Sequence, residues 1–233
     1  MTITFVKKLQ NFLFPYQNST ESAPMGAYMR NLFPFLGIKT PKRTELLRAF
    51  LKENGKPAAG ELETVVRELW ALPEREYQYI ALALLEKQSK VLPRDAIVLF
   101  EDLITDKSWW DTVDVLAAHL VGAYFRQHPE QIPVYIEKWL SSDNMWLKRT
   151  AILFQLSYKG ATDLPLLFQI IDRCLPSNEF FIQKSIGWAL REYTKTDPSP
   201  VLAFLESRHL PPLSRREALK VLERKKQREH VKS

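Results

Sequence analysis

Two tryptophans and two carboxylates stand together in Lys107-Ser108-Trp109-Trp110-Asp111-Thr112-Val113-Asp114, opening what reads as an amphipathic helix that reaches about Phe125. Residues four apart on a helix share a face. Trp110 and Asp114 therefore project together, a broad aromatic plane beside a carboxylate. A flat apolar face suits a sugar or a base, and a lone carboxylate beside it could serve a reacting centre. A structural reading stands next to this one. Trp110 would be core, and Asp114 would complement the positive N-terminus of its own helix.

The same helix recurs along the chain with different residues at the same positions. Tyr77-Gln78-Tyr79-Ile80-Ala81 aligns with Trp110-Asp111-Thr112-Val113-Asp114, then with Trp146-Leu147-Lys148-Arg149-Thr150 and Phe181-Ile182-Gln183-Lys184-Ser185. The aromatic recurs at spacings of 33, 36 and 35 residues. Such a period marks a helical solenoid, and a slightly short HEAT-like repeat fits it best. In this register Asp114 replaces Ala81, Thr150 and Ser185, while Arg149 and Lys184 replace Ile80 and Val113. Trp188 follows Lys184 by four positions and shares its face. The spacing predicts one concave strip carrying Trp110, Asp114, Arg149, Lys184 and Trp188. Cations suit phosphates and aromatics suit sugars and bases, so a nucleic-acid backbone fits the strip. Equally, Arg149 and Asp114 could form an ion pair that only ties neighbouring repeats.

The elements that must carry this strip are helices. Glycine is scarce at 7 of 233 residues, no stretch alternates as a half-buried strand would, and Leu, Ala, Glu, Lys and Arg fill the windows. Proline and polar turns break the chain into about a dozen helices. The expected first helix runs from Thr2 to Phe14, with Ile3, Val6 and Leu9 inward. A polar loop over Gln17 to Ala23 follows, then a helix begun by Pro24 and continued to Phe33. Thr40-Pro41 reads as an N-cap and first-turn proline. Later helices are expected over Glu61–Leu72, Glu74–Val91, Met145–Tyr158, Leu164–Leu175, Glu179–Tyr193 and from Ser214 to about Arg228. The expected architecture is all-α, a curved solenoid of antiparallel HEAT-like helix pairs forming one domain over residues 1–233.

Composition narrows the rest. The formal charge is +6, and the tail 214–233 holds eight Lys/Arg against three Glu. A basic tail of this kind is often a solvated helix end. The single cysteine, Cys174, excludes an internal disulfide and sits in an apolar run as buried filler. His119, His128, His209 and His230 show no metal-ligand spacing. No run is long and apolar enough for a membrane span. Lys7 and Lys8 interrupt the apolar N-terminal segment, unlike a signal peptide. No metal or cofactor is expected, and the expected location is cytoplasmic.

With these residues in view, the sequence closely resembles the AlkD family, bacterial alkylpurine DNA glycosylases built of HEAT-like repeats. The matching stretches include Met25-Gly26-Ala27-Tyr28-Met29-Arg30, Phe35-Leu36-Gly37-Ile38-Lys39-Thr40-Pro41, the Lys107 to Asp114 block, and Glu179-Phe180-Phe181-Ile182-Gln183-Lys184 running into Ile186-Gly187-Trp188. The resemblance thins after Arg224. It implies hydrolysis of the N-glycosidic bond of cationic N3- and N7-alkylated purines in duplex DNA, without extrusion of the base. It implies Asp114 as the catalytic carboxylate with Trp110 and Trp188 as aromatic walls. Arg149, Tyr28, Lys184, Phe181 and Thr40 complete the expected DNA-contacting set. The expected partner is double-stranded DNA bearing alkylated purines, met by a monomer. A non-catalytic scaffold binding DNA or a protein along the same surface is the rival expectation. A lyase using a Schiff-base lysine is a poorer one, since no lysine is singled out by position.

Overall fold

A computed structural model describes residues 4–230. Helices account for its regular structure, and the described residues include no strand. The chain forms two compact units, Met1–Gln88 and Ser89–Ser233.

The first unit holds α1 (Phe5–Leu13), α2 (Ser19–Tyr28), α3 (Thr40–Asn54), α4 (Leu62–Ala71) and α5 (Arg75–Gln88). Thr4 caps α1 by accepting from the Lys7 amide at 3.2 Å. Residues 2 and 3 of the expected helix lie outside the described residues. The apolar stripe of α1, Val6, Leu9 and Leu13, is buried, and α1 packs on α3 and α4. Helix α4 is closed at its end by buried Gln78, whose amide donates to the carbonyls of Leu69, Trp70 and Leu72.

Two expectations fail between α1 and α3. The stretch from Gln17 to Ala23 is not a loop, because the Asn18 side chain accepts from the amides of Thr20 and Glu21 at 3.0 and 3.3 Å and starts α2 there. Pro24 sits inside α2 rather than at its start. The helix also ends at Tyr28 instead of Phe33, since Arg30 and Asn31 take left-handed backbone at φ 56° and 55°. The chain from Met29 to Lys39 is instead gripped by buried Glu76 of α5. Its Oε2 accepts from the Leu36 amide at 2.9 Å, and its Oε1 from Gly37 and Ile38 at 2.9 and 3.0 Å. Gly37, at φ 85°, is required here, because an added Cβ would lie 2.0 Å from the Asn18 carbonyl oxygen.

The second unit continues with α6 (Ala96–Thr105), α7 (Trp110–Val115), a π-helical segment (Leu116–Val121), α8 (Gly122–Gln127), α9 (Ile132–Ser141), α10 (Met145–Leu153), α11 (Leu164–Cys174), α12 (Phe180–Tyr193), α13 (Ser199–Ser207) and α14 (Pro212–His230). The π turn was not expected; it widens the helix just after Asp114. Helix α10 stops at Leu153, short of Tyr158. The end of the basic tail, 231–233, lies outside the described residues.

The repeat is visible as packing. Helices α9 and α11 contact one another, and α10 touches α7, α12 and the π segment, while α12 packs on α14. Ion pairs tie the first helices at the repeat distance: Lys138 to Glu101, 37 residues apart, and Arg173 to Glu137 and Arg208 to Asp172, each 36 apart. Gly122 lets α8 meet the end of the next pair, since a Cβ there would stand 2.6 Å from the Phe154 carbonyl oxygen. Trp139, Tyr124, Phe125 and Phe154 fill the core between these layers. Cys174 is buried, and burial pushes its thiol up to about 11.

Candidate functional site

Asp114 lies one turn into α7 and meets Arg149 of α10. The guanidinium grips both carboxylate oxygens, Nε to Oδ1 at 2.7 Å and Nη2 to Oδ2 at 2.9 Å. The remaining fork nitrogen, Nη1, donates to the Phe181 carbonyl oxygen at 2.5 Å. That carbonyl lies in the first turn of α12. Three successive repeats therefore meet at one guanidinium. The Arg149 side chain is 5% exposed and that of Asp114 is 15% exposed. Burial pushes the Asp114 carboxyl up. The hydrogen bonds and charge of Arg149 pull it down, the negative charge of Asp111 pushes it up again, and the net direction is upward.

An aromatic cluster stands beside this pair, and Trp109 belongs to it. Its ring centroid lies 5.7 Å from that of Trp146 and 5.0 Å from that of Phe181, and those two are 5.0 Å apart. The cause is local. Trp109 is the N-cap of α7, with extended backbone at φ −158° and ψ 161°. Its side chain leaves before the helix starts and reaches the next two repeats. Trp110, the first residue of α7, is half-buried one turn before Asp114 on the same helix face. The Arg149 guanidinium also sits 5.8 Å from the Phe181 ring centroid.

On α12, Phe181, Lys184, Trp188 and Arg191 fall at helical spacing, and Trp188 is half-buried. Lys184 does not stand as an isolated cation. Its ammonium pairs with Glu217 of α14 at 2.9 Å. Glu217, whose side chain is 4% exposed, also accepts from Arg191 at 2.6 Å and from Lys220. Burial alone would push its carboxyl up, but Lys220 and Lys184 bring it down to about 2. Helices α12 and α14 come close enough for this at Gly187, where a Cβ would meet the Glu217 Cβ at 2.4 Å. Glu217 did not stand out in the sequence, and Trp109 stood in the Lys107 to Asp114 block without a role of its own. The nearest signal for Glu217 was Lys220 three residues on, which alone reads as an ordinary surface pair.

Tyr28 and Thr40 belong to the first unit. Tyr28 ends α2 and is 72% exposed. Thr40 opens α3, one residue inside the cap that Lys39 provides, and its hydroxyl accepts from Arg43 at 3.3 Å. The two residues flank the loop that Glu76 holds. Among the described residues, no three His, Cys, Asp or Glu side chains gather as metal ligands. No helix of the described residues is long and apolar enough to cross a membrane.

A carboxylate held in one orientation at a partly exposed edge, beside aromatics and cations, can stabilise a developing positive charge and orient a water. Comparison with known proteins bears on the family and the fold. The sequence pattern of a family described as DNA alkylation repair enzyme matches residues 9–222. Among solved structures, a predicted DNA alkylation repair enzyme from Enterococcus faecalis is 34% identical, with a TM-score of 0.81 over 88% of this chain and 95% of that one. AlkD2 from Streptococcus mutans shares the fold at 18% identity, with a TM-score of 0.59 over 76% of this chain and 88% of the other. No match was found among curated proteins.

Proposed function

We propose, since this chain belongs to the DNA alkylation repair enzyme family, that it is a monofunctional glycosylase releasing N3- and N7-alkylated purines from duplex DNA. An alkyl group at N3 or N7 leaves the purine cationic and already a good leaving group. The enzyme then has little need of a strong general acid at the base. It needs an anion near C1′ as oxocarbenium character develops, and a positioned water.

The observation that carries this reading is the fixed Asp114 carboxylate. Arg149 takes one site on each oxygen, and a carboxylate offers about four in all. Acceptor capacity remains for a water at the 15% of the side chain that stays exposed. Trp110 and Trp188 serve as aromatic walls for the cationic lesion and its sugar, worth about 2 kcal/mol where desolvated. Tyr28, Thr40, Lys184 and Phe181 take part in holding the DNA. The reaction proceeds on the stacked base and needs no cofactor. The protein works as a cytoplasmic monomer.

The rival reading, a scaffold that binds DNA without acting on it, draws on the same ion pair, because a bidentate bridge between repeats is also a structural device. Single-turnover release of 7-methylguanine and 3-methyladenine from methylated duplex separates the two. The glycosylase reading expects release by the wild type and a loss of about 10²–10³-fold in Asp114→Asn, as for removal of one transition-state electrostatic partner, with duplex binding retained. Binding without release by the wild type would leave the scaffold.

A further inference from the structure

The Glu217 cluster gathers more positive charge than its own structure uses. Glu217 is one buried carboxylate, and it receives Lys184, Arg191 and Lys220. Among the described residues, the ion pairs of these three cations all end on Glu217. One cation would neutralise it, so the group carries an excess of two positive charges. The three side chains keep 35%, 24% and 39% exposure, so each is partly open to solvent. Like charges held this close repel one another. A fold that tolerates such repulsion at a half-buried point is poised for an anion. The position on the helix says which anion. Lys184 precedes Trp188 by one turn of α12, about 6 Å along the axis.

We propose that Lys184, Arg191 and Lys220, drawn together by Glu217, form a binding site for a phosphodiester group of the DNA backbone beside the Trp188 face. Glu217 is a positioning residue here. It touches no DNA, and its two oxygens hold the three cations at one spot so that they meet a phosphate with little further ordering. The proposal rests on the DNA-repair reading above, and it adds α14 to the DNA-contacting surface through Lys220.

The test measures binding of unmodified duplex across a salt series. Each phosphate contact contributes about 0.9 to the slope of log K against log salt. Lys220→Gln lowers that slope by about 0.9 and weakens binding several-fold at moderate salt. Lys138→Gln, which removes an α9 cation paired with Glu101 of α6, leaves the slope unchanged. Glu217→Gln separates positioning from charge. It raises the net charge by one yet is expected to weaken binding, because the cations lose their common acceptor. An unchanged slope in Lys220→Gln overturns the site, and tighter binding by folded Glu217→Gln overturns the positioning role. Because Lys220→Gln leaves the buried carboxylate with two partners, it tests the site even if Glu217→Gln fails to fold. Base release with no slope change would sink this proposal alone. A slope change with no base release would sink only the glycosylase reading.

Discussion

Replacing Arg149 by methionine keeps most of the bulk and removes the charge, which isolates the ion pair from the packing around it. The structure sets the size of the effect. Arg149 is 5% exposed and loses three hydrogen bonds, two to Asp114 and one to the Phe181 carbonyl. Breaking a buried pair from one side costs roughly 3–5 kcal/mol, because the other charge stays behind unpaired. Water reaches the 15% exposed edge of Asp114, so the lower end applies, about 3 kcal/mol. For a chain of this length that lowers Tm by about 6–12 °C. Asp114→Asn keeps an amide oxygen for the guanidinium and costs less, about 1–2 kcal/mol. The double variant contains no stranded charge. Its loss is about 2 kcal/mol smaller than the sum of the singles, as expected of groups in direct contact.

Urea unfolding of the four proteins measures this cycle, and pH adds a second reading. In the wild type the Asp114 carboxyl is raised above 3.8, chiefly by burial, with Arg149 opposing. A raised carboxyl holds its proton more tightly in the folded state. Its contribution to stability is present below 3.8 and is lost as pH rises through the folded value. Removing Arg149 leaves burial unopposed. The loss then grows and extends to higher pH, and the acid limb of base release moves up with it. Additivity of the single variants within about 0.5 kcal/mol, or an acid limb that stays in place, would refute the view that Arg149 governs Asp114.

Other outcomes follow from the remaining buried acids. Glu217, brought from 4.5 to about 2, contributes about 3 kcal/mol of stability at neutral pH, at roughly 1.4 kcal/mol per unit. A depressed carboxyl stabilises above its unfolded value, so this contribution is complete above 4.5 and fades toward 2. Urea midpoints for Glu217→Gln should fall well below wild type at pH 7, with more than half of the gap gone at about pH 3; an equal gap at both would show the cations do not set that stability. Glu76→Gln removes a charged acceptor of three backbone amides and should cost about 2–4 kcal/mol. It should also speed hydrogen exchange at Leu36, Gly37 and Ile38 first, whereas exchange unchanged at those amides would mean that Glu76 does not hold the loop.

The sequence by itself determined the helical class, the repeat period and the chemically unusual positions. Those properties are local or periodic. Apolar residues at helical spacing and proline punctuation mark helices wherever they pack. The recurrence of one helix every 33–36 residues predicts neighbours at that separation, which the ties at 35 to 37 residues display. Asp114 and Arg149 stood out because each replaces an apolar or small residue of the repeat. Tertiary structure decided which residues face each other. Trp109 entered the aromatic cluster because an N-cap side chain leaves the helical register. Asn18 turned an expected loop into a helix by capping it. Glu76 and Glu217 became organising centres through partners supplied by distant loops and helices, 38 to 40 residues away for one and 26 residues away for another. A buried carboxylate is identified by what surrounds it, and that surrounding exists only after the chain has folded.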